Sequence, residues 1–218
     1  MTANMEDIVI GILGGTGDQG KGLARRFSRI GYRVIVGSRS EERAATAAAD
    51  IGHGVQGMTN HDTARNAQIV IAAVPWEGHG ELLSALAPDL VGKIVVDCVN
   101  PLGFDARGAY PLPIAEGSAA QQAADLLPGS TVVAAFHHVS AKLLLDPEVE
   151  TIDMDVLVLG DDREATDLVQ NLAARIPGVR GIYAGRLRNA GQVEALTANL
   201  VSINRRYKAH AGLRITDV

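Results

Sequence analysis

The sequence predicts an α/β fold: a mostly parallel sheet with helices on both faces and a small C-terminal helical extension. Three observations lead there. Short apolar runs rich in Val and Ile recur along the chain, alanine-rich segments of helical spacing separate them, and the runs are apolar throughout rather than alternating. Alternation of strand and helix is the pattern of parallel βαβ units. A strand without polar alternation is one covered on both faces.

The strands are expected at Ile8 to Leu13, Tyr32 to Gly37, Ile69 to Val74, Ile94 to Val99, Thr131 to Phe136 and Asp155 to Leu159, with shorter ones near Val55 and Ile182. The first helix is expected over Lys21 to Ile30, stopped by Gly31, and the second over Glu41 to Asp50 with Ser40 as its N-cap. Further helices are read at Glu77 to Ala87, Ala119 to Leu126, Arg163 to Arg175 and from about Ala190 onward. The proline-rich stretch Asn100 to Gly117, with Pro101, Pro111 and Pro113, reads as irregular. After about residue 185 the sheet pattern gives way to helix. Residues 1–185 are therefore expected to form a dinucleotide-binding domain and residues 186–218 a helical extension.

At 218 residues and 47% hydrophobic, the chain suits one core. A net charge of −5 with acids and bases interspersed argues against a nucleic-acid partner, which calls for a basic domain. Cys98 is the single cysteine and sits in the apolar run Ile94 to Val99, so a buried structural thiol and a reducing compartment are expected. Met1 to Asp7 is polar and acidic, unlike a signal peptide, and no apolar run approaches the roughly 20 residues that span a bilayer. A soluble, cytoplasmic protein is expected.

Directly after the first strand comes Gly14-Gly15-Thr16-Gly17-Asp18-Gln19-Gly20, in which Gly15, Gly17 and Gly20 satisfy G-x-G-x-x-G. The motif opens a helix and a second strand follows, which is the context that gives it meaning and makes the fold Rossmann-like. Gly15 is expected at the tight turn, Gly17 where backbone approaches a pyrophosphate, and Gly20 at the contact of helix and strand. Helix-start N–H groups and the helix dipole then face the anion.

At the end of the second strand, where NAD enzymes carry an acid for the ribose 2′-hydroxyl, this chain has Gly37-Ser38-Arg39, with Arg43 one helical turn further. A hydroxyl and two guanidinium groups suit a 2′-phosphate, so the cofactor is expected to be NADP(H). The alternative for Arg39 and Arg43 is an exposed helix face paired with Glu41 or Glu42.

For a second substrate the residues are less explicit. His137, His138, Lys142 and Tyr110 could serve as an acid or base, yet none sits in a recognisable catalytic motif. There is no Tyr-x-x-x-Lys pair and no His/Cys/Asp cluster with metal-ligand spacing. No catalytic side chain and no metal are expected. The residues alone stop at an NADP-binding oxidoreductase. An NADP-dependent reductase of a small imine or hydroxyacid, and a non-catalytic NADPH-binding regulator, both stay open.

Several stretches go further. Leu13-Gly14-Gly15-Thr16-Gly17, Val36-Gly37-Ser38-Arg39, Val74-Pro75-Trp76-Glu77, Gly160-Asp161-Asp162 and Val193-Glu194-Ala195-Leu196-Thr197 resemble the NADPH:F420 oxidoreductase family, the F420-dependent NADP reductases, and Pro75-Trp76-Glu77 is the most specific. The resemblance covers essentially the whole chain. It implies hydride transfer between NADP(H) and the deazaflavin coenzyme F420. It also implies that Thr16, Gly17, Asp18 and Gln19 cradle the pyrophosphate, Ser38, Arg39 and Arg43 the 2′-phosphate, and that Val74, Pro75, Trp76 and Ala141 line the nicotinamide end. His137 and Val139 match positions flanking the deazaflavin ring, whereas His138 and Ser140 stand where the family pattern has Thr and Pro. Taken alone, Trp76 reads first as a core anchor and His137 as a structural histidine. Asp161 and Asp162 read as first-turn partners of a helix dipole.

Coenzyme F420 carries a phosphate and a polyglutamate tail. Arg186, Arg188, Arg205, Arg206, Lys208 and Arg214, against only Glu194 and Asp217, form either a dock for that tail or a solvated basic helix face. The extension could also cover a partner subunit, and a homodimer is expected.

Overall fold

Apolar runs become strands almost where the sequence places them, and the order in which they join the sheet positions the site. In the computed structural model, which describes residues 8–218, the elements run β1 (Val9–Leu13), α1 (Asp18–Arg29), β2 (Arg33–Ser38), α2 (Glu41–Ile51), β3 (Gln56–Thr59), α3 (Asn60–Asn66), β4 (Ile69–Ala72) and α4 (His79–Leu90). They continue with β5 (Ile94–Asp97), β6 (Leu102–Asp105), β7 (Gly108–Pro111), α5 (Ala119–Leu126), β8 (Thr131–Ala134), α6 (Ala141–Leu145), β9 (Met154–Gly160), α7 (Arg163–Ala174), β10 (Val179–Gly185) and α8 (Ala190–Tyr207).

The main sheet has the order β10-β9-β8-β5-β4-β1-β2-β3, and every neighbouring pair is parallel except β8 with β9. β1 lies between β2 and β4. The chain therefore winds to one side through β2 and β3 and returns to the other through β4. The crevice that such a reversal opens at the carboxyl ends of the strands is where doubly wound folds bind ligands.

Both faces of the sheet are covered, as uninterrupted apolar strands require. Ile10, Ile12 and Val34 pack under α1, α2, α6 and α7 through Leu23, Phe27, Ala47, Leu144 and Val169. Val9, Leu13 and Val70 pack on the other side under α3, α4, α5 and the start of α8, through Ala64, Leu83, Leu86, Ala123 and Val193. Phe27 stacks edge-on with Phe136 at 6.1 Å, which ties the first helix to the end of β8.

Three features depart from the sequence expectation. The stretch 100–117 is not irregular, because β6 and β7 form an antiparallel hairpin with Leu102 opposite Pro111. Pro111 marks its end, and the exposed tip masks the usual apolar alternation. α3 is hidden because its buried face carries Asn60 and Thr63 beside Ala64, so it shows no apolar stripe. α6 is five residues long, too short for a period to register. Two helix starts also shift: α1 begins at Asp18, and a 3-10 turn over Trp76–Gly78 precedes α4. Ser40 caps α2 by accepting from the Arg43 N–H, and Asp162 caps α7 through the Ala165 N–H.

α8 stops where Lys208 turns left-handed at φ 51°. The remaining chain then runs back along the sheet. The Asp155 N–H donates to the Leu213 carbonyl at 2.8 Å, and the buried Asp155 carboxylate accepts from Ile215 N–H, Arg180 and Arg214. With Arg180 the leading influence, that carboxyl is held well below the usual carboxylate range. Arg214 is thus committed to the fold rather than free for a ligand.

Candidate functional site

The glycine turn sits at the switch point, pinned on both sides. Gly14 has φ +70°, and a Cβ there would lie 2.6 Å from both the Ala73 carbonyl oxygen and Val74 Cγ1, the residues that follow β4. The tight left-handed turn therefore belongs to Gly14 and not to Gly15, a correction the motif alone conceals. Gly15 is required by packing instead, since a Cβ would meet Val36 Cβ at 2.6 Å, and its N–H donates to the Gly37 carbonyl at 3.0 Å. At Gly20 a Cβ would stand 2.8 Å from Gly15 Cα, which is the close contact of helix and strand.

Gly17 differs from these. Its Cβ would touch only the Gly14 oxygen at 3.6 Å, an ordinary contact, so no part of the chain demands glycine there. Gly17 and Asp18 are exposed, with Thr16 and Gln19 half-buried beside them. α1 has no side-chain cap, as is also true of α4, α6 and α8, whereas Ser40, Thr59, Ser118 and Asp162 cap α2, α3, α5 and α7. First-turn N–H groups without a side-chain partner, reached past an unobstructed glycine, suit an anion.

At the end of β2, Ser38 is buried, while Arg39, just before the Ser40 cap, and Arg43, in the first turn of α2, are exposed. Neither arginine pairs with Glu41 or Glu42 among the described residues. The Gly15 to Gly37 hydrogen bond holds this end against the glycine turn. The alternative of an internally paired helix face is absent there.

The other end of the crevice is assembled from three connections. Val74 and Trp76 are half-buried and Pro75 is exposed. Trp76 is not a core anchor, because its ring lies tilted 5.6 Å from that of His79 rather than inside either core layer. Phe136 adopts φ +62°, which turns the chain after β8, and Gln19 Nε2 donates to its carbonyl at 3.2 Å. The glycine turn and the His137 loop are thereby joined. Asn100 Nδ2 donates to the His137 carbonyl at 2.7 Å, and Thr197 Oγ1 on α8 donates to Asn100 Oδ1 at 3.3 Å.

His137 and Val139 are buried, and Ala141 is half-buried at the start of α6. Neither ring nitrogen of His137 has a hydrogen-bond partner among the described residues. Burial pulls its pKa down to about 4, so the ring is neutral at neutral pH. His138 faces the opposite way and donates from Nε2 to the Asp155 carbonyl at 2.8 Å. Its role is structural. Arg26, itself buried, donates to the carbonyls of Leu144 at 2.9 Å and Val149 at 2.6 Å, and to that of Leu143, which clamps the loop onto α1.

Sequence reasoning overlooks a polar cluster behind Trp76. His79 Nε2 meets Asp97 Oδ2 at 2.6 Å with both side chains fully buried, and His79 Nδ1 lies 3.3 Å from Gln122 Oε1. Burial disfavours the imidazolium, but the Asp97 hydrogen bond and charge outweigh it and the His79 pKa is raised. Glu194, on α8, accepts from the Ala119 and Ala120 N–H groups at 2.9 and 3.2 Å and so holds the start of α5. Burial, with Asp97 adding to it, pushes its carboxyl up to about 7. One signal was available in the sequence: Asp97 stands inside the run Ile94 to Val99, where an acid needs a buried partner. Among the described residues no group of acids, histidines and cysteines is arranged to hold a metal.

Residues 9–101 match the family model described as NADP oxidoreductase, coenzyme F420-dependent. The chain is 38% identical to the F420-dependent NADP reductase of Methanothermobacter thermautotrophicus, over 96% of this chain and 95% of that one. It is also 38% identical to the F420-dependent NADP reductase of Methanocaldococcus jannaschii, over 96% and 98% of the two chains. A crystal structure from Arthrobacter sp. FB24, provisionally named an F420-dependent NADP reductase, superposes with a TM-score of 0.84 at 25% identity, covering 96% of this chain and 99% of that one.

Proposed function

The chain belongs to the coenzyme F420-dependent NADP oxidoreductase family, and from that premise we propose that it transfers a hydride directly between NADP(H) and the deazaflavin coenzyme F420. One observation carries the reading. A single crevice has a receptive helix start and two unpaired arginines at one end, and at the other a buried His137 whose ring is neutral at neutral pH.

The pyrophosphate rests on the N–H groups of Thr16 to Gln19 in this account, with Gly17 leaving room for it. Ser38, Arg39 and Arg43 take the 2′-phosphate, which selects NADP(H) over NAD(H). Val74, Pro75, Trp76 and Ala141 line the nicotinamide end, and His137 and Val139 flank the deazaflavin. The two bound cofactors supply the redox chemistry themselves, from nicotinamide C4 to deazaflavin C5. The chain's task is to hold the rings face to face and to keep water out. No side chain acts as a catalytic acid in the strict sense in this reading, and the proton that accompanies the hydride reaches the deazaflavin ring nitrogen from solvent or from a nearby group.

Residues 1–185 bind NADP(H) in this reading, and residues 186–218 complete the deazaflavin side of the cleft. We assign the protein to the cytoplasm. No described helix is long and apolar enough to cross a membrane, and Cys98 is a buried free thiol. We also propose a homodimer. Ile203 and Tyr207, one turn apart on α8 and exposed, offer a partner an apolar strip.

The direct test follows the absorbance of oxidised coenzyme F420 as NADPH is added to the purified protein, with NADH and FMN as controls. Bleaching is expected with NADPH alone and on the deazaflavin alone. Tight NADPH binding without bleaching would hand the case to a reductase of a small organic substrate or to a regulator.

A further inference from the structure

The far end of the crevice holds the only tryptophan of the chain. Trp76 and His79 share the 3-10 turn that leads into α4, where the His79 N–H donates to the Trp76 carbonyl and side chains three apart eclipse one another. Their rings lie 5.6 Å apart and 31° from parallel, so the imidazole backs the indole. His79 is fully buried, and hydride transfer as set out above makes no use of it.

The partners of His79 fix its protonation. Nε2 meets Asp97 Oδ2 at 2.6 Å and Nδ1 faces Gln122 Oε1 at 3.3 Å. The Gln122 amide is turned that way because its Nε2 donates to Glu116 Oε1 at 3.3 Å, and Gly80 leaves it room, since a Cβ there would lie 3.0 Å from Gln122 Oε1. With an acceptor at each nitrogen both must donate, and an imidazole that donates twice is an imidazolium. The raised pKa agrees. The charged groups that face the ring are Asp97 on β5 and Glu194 on α8, with Glu116 behind Gln122, and all three are acids. A cation within about 6 Å of an indole is drawn to it by the ring's own charge distribution.

Asp97 also reaches the opposite wall. It ends β5, and its Oδ1 accepts the Val99 N–H at 2.9 Å, which fixes the connection after the strand. Asn100 comes next and holds the His137 carbonyl at 2.7 Å. One carboxylate thus carries the ring behind Trp76 on one oxygen and the path to the His137 loop on the other.

We propose that His79, as the imidazolium paired with Asp97, is a positioning residue for hydride transfer: it sets the tilt of Trp76 against the nicotinamide, and through Asp97 the two ring walls share one anchor. The assignment rests on the hydride-transfer reading above, in which Trp76 lines the nicotinamide end. A buried pair that only ties α4 to the sheet would need no particular charge on His79 and no contact with Trp76. The experiment separates the two roles.

Trp76 emission reads the contact directly, because no other tryptophan contributes and an imidazolium touching an indole quenches it more than a neutral imidazole does. Emission, and steady-state turnover with NADPH and coenzyme F420, would be compared for wild type and Asp97→Asn. Asparagine keeps an acceptor for the Val99 N–H and offers His79 a donor in place of the acid, so the imidazole becomes neutral while the core stays filled. The expected results are brighter emission and a kcat lowered roughly fivefold. The KM for NADPH should stay within about twofold of wild type, because its phosphates bind at the other end of the crevice. In wild type the emission should rise with pH as His79 loses its proton, and in the variant it should be bright and flat. Equal emission in the two proteins, or an unchanged kcat in the variant, overturns the positioning role, and wild-type turnover then leaves the hydride-transfer reading intact. Wild type that reduces no coenzyme F420 sinks that reading and this role with it. If Asp97→Asn unfolds, His79→Gln, uncharged and able to donate to Asp97, takes its place on the same readouts.

Discussion

The two ends of the crevice are built in opposite ways. The glycine-turn end is made of backbone, with an uncapped helix start, an unobstructed Gly17 and exposed Arg39 and Arg43. The far end is made of buried side chains locked to one another: His79 with Asp97, Glu194 with the start of α5, Arg26 with the carbonyls around α6. Backbone and exposed cations suit one cofactor's phosphates at little cost to stability. Buried charges hold ring walls in place, but each depends on its partner. Binding specificity and structural risk therefore sit at opposite ends of one cleft.

The sharpest break of that contrast is Asp97→Ala. It strands His79 in the core, and a loss of about 3–5 kcal/mol in urea unfolding is expected, as for other buried pairs cut on one side. A loss under about 1 kcal/mol would show that the far end is not locked as described.

Next in size is a pH effect. The folded Glu194 carboxyl titrates at about 7 against an ordinary 4.5, so between those values the folded state holds a proton that the unfolded state has released. Stability therefore falls as pH rises through this window, by up to about 3 kcal/mol. The raised His79 pKa acts in the same direction: its contribution is complete below its ordinary 6.5 and is lost as pH rises through its folded value. Denaturant melts at pH 5 and pH 8 should show the decline, and Glu194→Gln should flatten its lower limb while leaving the His79 part. A wild-type curve rising from pH 5 to pH 8 contradicts the assignment.

A third substitution probes the turn. Gly14→Ala forces a Cβ to within 2.6 Å of a backbone carbonyl at φ +70°. About 2 kcal/mol of stability should be lost, whereas Gly17→Ala should unfold like wild type and weaken NADPH binding instead. The smallest expected effect belongs to the exposed arginines. Arg39→Ala should weaken NADPH binding by about tenfold, near 1.4 kcal/mol, with NADH binding unchanged and the melting curve superimposable on wild type. Equal loss for both nucleotides would remove the 2′-phosphate from the account.

Legibility in the sequence divides along the same line. The strands were readable because the apolar runs carry Val and Ile without interruption, and the glycine turn because its spacing follows a strand and opens a helix. Even there the motif misplaces the left-handed residue, since Gly14 and Gly15 are adjacent and only three-dimensional contact with Ala73 tells them apart. The far end was hardly readable. His79, Asp97, Gln122 and Glu194 are scattered over more than a hundred positions and converge only when α4, β5, α5 and α8 pack together. Polar helices such as α3, and a hairpin with an exposed tip, carry no periodic signal at all.

Direct passage of hydride between the two cofactors is the central claim, and isotopic labelling tests it most closely. NADPH carrying deuterium at the transferred C4 position would be reacted with oxidised coenzyme F420 on the protein in ordinary water, and the reduced deazaflavin examined by mass spectrometry. The account predicts that the deuterium arrives on deazaflavin C5 in full. A reduced product without label, its deuterium lost to water, would mean that the hydride passes through an exchanging intermediate and would contradict the account.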